Sequence, residues 1–252
     1  MSAPAGEAAP RFRPRTDVPR LIAHRGLSAA APENTIAAFE AAEAAGFAWV
    51  EFDVMLSGDG VPVVIHDETL GRTTDGRGKV AETPLATLKT LDAGRWFAPQ
   101  LAGQRIPTLE EALAALDRLG LGANVEIKPA RGHEAETGAA TARLLAERWP
   151  ARLAPPVVSS FSPTALKAAH AAHPAHDYAP LFERIPKDWA ARMQALSAQA
   201  LHCSAKRLSE AQAREVTATG AAIRCYTVND RAMAERLFGW GVESLFADDR
   251  PT

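Results

Sequence analysis

The chain has 252 residues, 47% hydrophobic and 23% charged, with a formal net charge of −2. That length suits one sizeable core, as in an α/β barrel, and the near-neutral balance gives no footing for nucleic acid, whose binding domains carry a basic excess. No apolar run approaches the roughly 20 residues of a membrane span, and two cysteines are too few for a disulfide framework.

The first residues, MSAPAGEAAPRFRPRTDVP, contain no apolar stretch and carry Glu7 early, so they do not read as a secretory signal. Residues 1–17 are expected to form a disordered tail, with an organelle-targeting segment as the alternative, and residues 18–252 a single domain. Apolar strand candidates then follow at 20–24, 48–55, 123–127, 156–161, 177–183, 200–203, 222–228 and 244–247. Helical patterns lie between most of them. The Ala-rich run 34–45 closes at Gly46. Thr108 to Glu111 forms a capping box before a helix that closes at Gly120. Ser162-Pro163 starts a helix with Pro at its first position. Ser209 to Gln212 repeats the capping-box pattern, and Asn229 or Asp230 caps a helix that stops at Gly239.

Strands alternating with helices predict parallel pairing, and eight such units predict closure into a (β/α)8 TIM-type barrel. The interval 57–107 breaks the rhythm. It holds a Gly58-Asp59-Gly60 turn, the short apolar run VPVVIHD, then RTTDGRGK and LDAGRWFAP. Long excursions are usually functional, so this one is expected to be a small cap after the second strand, beside the barrel mouth. Cys203 and Cys225 fall in strand-like runs and read as buried thiols of a reducing cytosol.

Several strand candidates end in reactive groups, and in a β/α barrel that end of the strands carries the active site. Residues i and i+2 of a strand share a face, so Glu51 and Asp53 point the same way, as do Glu126 and Lys128 on another strand. Like charges on an inward face are expensive without a compensating cation. Hard oxygen ligands favour Mg²⁺ or Ca²⁺. The plainer alternative is strand-end salt bridges facing solvent. His24 and His66 are candidates to give and take a proton. Arg25 and Lys128 suit an anionic, phosphate-bearing substrate. The pattern HAAHPAH (His170, His173, His176) is broken by Pro174 and reads as surface, His133 sits at a helix start, and His202 is a weak peripheral candidate. No P-loop, HExxH or GxSxG is present.

Together, HRG at 24–26, APENT at 31–35, Glu51-x-Asp53 and His66-Asp67, followed by RTTDGRG, LDAGRWF, IPTLEEAL, EIK, SSF and YTVN, resemble the glycerophosphodiester phosphodiesterase family. The resemblance runs from about residue 20 to 248 and is strongest to short bacterial cytosolic members. It implies metal ligands at Glu51, Asp53 and Glu126, a catalytic pair at His24 and His66, and substrate contacts from Arg25, Lys128 and Tyr226. It also implies a divalent cation, Mg²⁺ or Ca²⁺, and hydrolysis of a small glycerophosphodiester to sn-glycerol 3-phosphate and an alcohol, in a cytoplasmic enzyme of lipid and glycerol metabolism. His24 is expected as base and His66 as acid, through a cyclic phosphate or by direct attack of water. Tyr226 stands where Trp is usual, and Ala247 where Thr is usual. Two rivals are a phosphodiesterase acting on lysophospholipids and a barrel that binds glycerophosphodiesters without turnover. Trp96 and Phe97 in the cap are either anchors pinning it to the barrel or a wall on the alcohol side of the pocket. Neither oligomeric state nor preferred alcohol is legible.

Overall fold

A computed structural model describes residues 11–252. The elements run β1 (Leu21–Ala23), α1 (Ile36–Ala44), β2 (Trp49–Leu56), β3 (Pro62–Val64), α2 (Leu85–Leu88), α3 (Leu109–Leu119), β4 (Gly122–Ile127) and α4 (Glu134–Arg148). Then come β5 (Val157–Ser160), α5 (Pro163–Ala172), β6 (Asp177–Phe182), α6 (Trp189–Ala195), β7 (Ala200–Ser204), α7 (Glu210–Thr217), β8 (Ala222–Tyr226), α8 (Arg231–Gly239) and β9 (Ser244–Ala247). Every strand but β3 pairs parallel with its neighbours, and β1 pairs with both β9 and β2, which closes the ring. The eight barrel strands coincide with the eight apolar runs read from the sequence. β3 pairs antiparallel with β2 and lies outside the ring.

The helix signals act locally as the residue chemistry dictates. Thr108 and Glu111 form the reciprocal capping box of α3, and Asp230 caps α8. At α7 only half of the expected box forms. Ser209 accepts from the Gln212 amide, but the Gln212 side chain donates instead to the Ile185 carbonyl, 3.2 Å away. Helix α4, which starts just after His133 as expected, and α6, absent from the sequence reading, fill the remaining intervals.

The main core lies between the strands and the outer helices. The segment 57–107 has a small core of its own, built on Met55, Val63, Ile65, Leu70, Val80 and Leu88. Inside the ring, Ile22, Trp49, Val157, Ala179 and Phe246 pack together. Trp49 takes its place there because its register partner is Gly122. A Cβ on Gly122 would stand 2.3 Å from the Trp49 ring nitrogen. The N-terminal reading needs correction. Residues 1–10 lie outside the described residues, but the last part of the expected tail is held against the barrel. Phe12 is buried against Trp189 at a ring separation of 5.9 Å, its amide donates to the Thr219 carbonyl, and Arg15 lies over the Trp49 ring. A single aromatic in a polar, Pro-rich stretch gives no periodicity from which to read that docking.

Gly122→Ala should therefore overpack the barrel floor and lower stability by about 1–3 kcal/mol. Chemical denaturation measures this, and an unchanged midpoint would show that Trp49 has room to move.

Candidate active site

Parallel register assembles the acids. Asp53 on β2 stands opposite Glu126 on β4, with Glu51 opposite Asn124. Carboxylate oxygens of Glu51, Asp53 and Glu126 lie within 4.8 Å of one another, all three side chains are buried, and together they can hold a metal ion. Glu51 Oε2 accepts from the Arg25 amide at 2.9 Å, while its Oε1 is buried with no hydrogen-bond partner among the described residues. Asn34 grips Asp53 twice, donating to Oδ2 at 2.8 Å and accepting from the Asp53 amide at 3.1 Å. The solvent-facing alternative for these acids is thereby excluded.

Two cations face the cluster. Lys128 Nζ is 3.6 Å from Glu126 and 3.9 Å from Asp53. Arg25 lies 3.6 Å from Asp53 and donates to Glu33 at 2.8 Å, so its guanidinium is shared between the pocket and a supporting carboxylate. Burial and the charges of Asp53 and Glu126 push the Glu51 carboxyl well above the usual range. Burial and Asp53 raise Glu126 to about 7, against the pull of Lys128 and Arg25. Burial also opposes ionisation of Asp53, but Arg25, His66, Lys128 and the Asn34 amide outweigh it and hold Asp53 below its ordinary value. The pocket thus keeps one firm carboxylate and two that hold protons readily until a cation displaces them.

Each histidine is fixed through Nδ1 by a carboxylate. His24 follows β1 and Asp248 follows β9, and the register pairs Ala23 with Ala247, so the next residues meet with Nδ1 and Oδ1 2.7 Å apart. Asp248 is held in turn by Ser28 and by Asn229, which donates at 2.7 Å. Burial disfavours its charge, but the bonds from His24 and Asn229 keep it down at about 2. His66 follows β3, and its Nδ1 lies 2.6 Å from the carboxylate of Asp67. Arg72 clamps Asp67 and reaches on to Glu33, the same carboxylate that receives Arg25. Burial lowers His66 despite the nearby Asp53. In a neutral ring bonded this way, Nδ1–H donates and Nε2 is left open. The Nε2 of His24 faces the acids, 3.9 Å from Glu51.

One pocket of about 150 Å³ collects all the residues singled out: His24, Arg25, Glu51, Asp53, His66, Glu126, Lys128 and Tyr226. Sequence reasoning missed Asn34, Asp67, Arg72, Asn229 and Asp248 as supports, and Asn124, Phe161 and Leu181 as lining. Asp248 had a signal, since it ends a strand just as His24 does. His202 is not peripheral: it is fully buried and lines the pocket, with neither ring nitrogen bonded among the described residues. The Tyr226 hydroxyl is already committed to the Phe182 carbonyl, so its ring is what the pocket sees. Trp96 and Phe97 do not line the pocket. Their loop closes on itself around Asp92, which accepts the amides of Gly94, Arg95 and Gly103, and Trp96 is left exposed. The aromatic wall is Phe161 edge-on to Tyr226, at 5.6 Å.

Residues 24–251 match the glycerophosphoryl diester phosphodiesterase family. The chain belongs to that family. It is 32% identical to a glycerophosphodiester phosphodiesterase of Bacillus subtilis, over 90% of this chain and 82% of that one. Among solved structures, a phosphodiesterase of Oleispira antarctica in complex with the product sn-glycerol-3-phosphate superposes with a TM-score of 0.89 at 42% identity, covering 92% of this chain and 93% of that one. A glycerophosphodiester phosphodiesterase of Agrobacterium tumefaciens gives a TM-score of 0.76 at 29% identity, over 92% and 97% of the two chains. The family assignment makes this chain an enzyme and agrees with the barrel read from its strands. No helix of the described residues is long and apolar enough to cross a membrane.

The raised acids make metal-free stability pH-dependent. An acid whose folded pKa lies above its unfolded one stabilises the fold at low pH and loses that contribution as pH rises through the folded value. Without divalent cation, the melting temperature should fall as pH rises from about 4.5 to about 7, the two values for Glu126. Mg²⁺ or Ca²⁺ should raise it most at the alkaline end, where no proton competes. Differential scanning fluorimetry with and without chelator measures both slopes. A cation effect independent of pH would show that the acids are not its ligands.

Proposed function

We propose that this enzyme hydrolyses glycerophosphodiesters to sn-glycerol 3-phosphate and an alcohol, with a divalent cation, Mg²⁺ or Ca²⁺, held by Glu51, Asp53 and Glu126. The supporting observation is the convergence in one pocket of two carboxylate-clamped histidines, three buried acids and two cations. The partnerless Oε1 of Glu51 suits such a ligand set. A divalent cation there supplies charge stabilisation to a phosphoryl oxygen and acidifies a bound hydroxyl.

The protein's own groups supply the remainder. Arg25 and Lys128 face the phosphate. His24 Nε2 takes the proton of the attacking hydroxyl, from the glycerol or from water, and Asp248 stabilises the imidazolium that forms. His66 delivers a proton to the departing alcohol oxygen. Its burial keeps the resting ring neutral, so it must first be protonated, which the anionic substrate favours. Retention of both histidines and all three acids speaks against a barrel that only binds. Two free thiols, Cys203 and Cys225, buried with sulfurs 3.8 Å apart, suit the cytoplasm we infer for it.

The test is glycerophosphocholine turnover, read by coupled detection of glycerol 3-phosphate. EDTA should abolish it, and Mg²⁺ or Ca²⁺ should restore it; full activity in chelator would remove the cation from the reaction. His24→Ala and His66→Ala should each lower kcat by on the order of 10²–10⁴. His66→Ala should also lose the alkaline limb of the kcat/KM profile, the limb set by loss of an acid. Loss of the acidic limb instead would exchange the two histidines' roles. Asp248→Asn should lower kcat while leaving metal binding intact, because it favours the wrong His24 tautomer.

A further inference from the structure

Beside the catalytic pocket lies a second cavity of about 350 Å³, between α5 and α6. Phe161 and Leu181 line both spaces. The cavity walls are otherwise mainly apolar: Pro163 and Leu166 come from α5, Phe182 from β6 and Leu196 from the end of α6. The polar groups nearby are spoken for. Ser160 donates to the Ile127 carbonyl, and Arg192 is paired with Asp188 at 3.0 Å. Lys167 stands exposed at the rim, and no carboxylate lines the cavity. Phe161, which borders both spaces, is one of two large hydrophobic side chains exposed among the described residues, at 45%. An exposed aromatic at the mouth of an apolar cavity marks a place for apolar ligand surface.

The catalytic pocket has a contrasting side. Asn124 Oδ1 and both His202 ring nitrogens are buried there without partners among the described residues. Buried polar groups need hydrogen bonds, and the glycerol hydroxyls can supply them. With glycerol on that side, the other arm of the diester leaves past Phe161. We propose that the cavity between α5 and α6 receives an alkyl chain carried on the alcohol side of the substrate, so that the enzyme prefers glycerophosphodiesters of apolar alcohols. This rests on the hydrolytic function proposed above and names its substrate class. On the far side of Phe161 another opening is lined by Glu68, Arg131 and Glu134. Its charges of both signs suit a cationic head group such as choline, which is the competing outcome.

The experiment measures kcat/KM for the ethyl, butyl, hexyl and octyl esters of sn-glycero-3-phosphate, below any micelle concentration, beside glycerophosphocholine. A lysophosphatidylcholine with an eight-carbon acyl chain places the same chain on the glycerol. With about 0.8 kcal/mol per buried methylene, kcat/KM should rise roughly two- to fourfold per added CH₂ until the cavity is filled. The short-chain lysolipid should gain nothing over glycerophosphocholine. Leu196→Glu, checked for folding by its melting temperature, should flatten the alkyl series; the slope, not the level, is the readout. A flat wild-type series with good glycerophosphocholine turnover would overturn the proposal, and so would a gain confined to the lysolipid. Failure to hydrolyse any diester would overturn the hydrolytic function itself, and this inference with it.

Discussion

Three carboxylates share the inside of a closed barrel with oxygens within 4.8 Å of one another, and much of the surrounding structure exists to make that arrangement tolerable. Stripping acids of water is costly unless hydrogen bonds or charges replace it. After Ala23 the chain turns so that Arg25, in a left-handed conformation with φ of 56°, aims its amide at Glu51 and its guanidinium toward Asp53. The turn continues through Gly26, where a Cβ would lie 2.6 Å from that of Ala38 on α1, so only glycine lets the chain pass. Asn34, also left-handed with φ of 59°, closes on Asp53 just before α1 begins. The HRG and ENT segments are therefore scaffolding for β2 as much as carriers of His24. The compensation is incomplete at Glu51 Oε1, and that shortfall is what leaves the cluster ready for a cation.

The histidines reach similar states by different routes. His24 is oriented across the barrel seam, where β1 and β9 lie parallel and in register. His66 is oriented from outside the ring, through Asp67 and Arg72. Glu33 joins the two arrangements by receiving Arg25 from the barrel and Arg72 from the cap. The cap thus has a mechanical role. It carries His66, and the shared carboxylate fixes its position relative to the acid cluster.

What the sequence disclosed follows from the range of each signal. The alternation of apolar strands with capped helices is local, and it gave the barrel and all eight ring strands. The i, i+2 spacing is also local, and it placed Glu51 with Asp53 and Glu126 with Lys128. Which strands become neighbours is not local. Asp248 is 224 residues from His24, and only closure of the ring brings them together. The recess that buries His202 arises in the same way. Loop conformation is the other blind spot. Nothing in LDAGRWFAP announces that Asp92 will gather three amides and turn the segment in on itself, so the adjacent aromatics could not be placed. The catalytic candidates were readable because strand ends concentrate them; their supports were not, because these come from elsewhere in the ring or from irregular backbone.

The layer beneath the acids holds a third histidine in a different environment from His24 and His66. His202 and Arg224 are register partners on β7 and β8, both buried. Arg224 donates to Glu243 at 2.9 Å and points into the barrel beside His202. Burial first, and then that neighbouring charge, hold His202 well below its ordinary value, so it stays neutral. A neutral imidazole adds no positive charge beneath the acid cluster that could hold a cation. It offers one donor and one acceptor, the complement a hydroxyl requires. The barrel therefore separates its three histidines by environment. Two have Nδ1 clamped to a carboxylate, and the third is held neutral by burial and by the neighbouring Arg224.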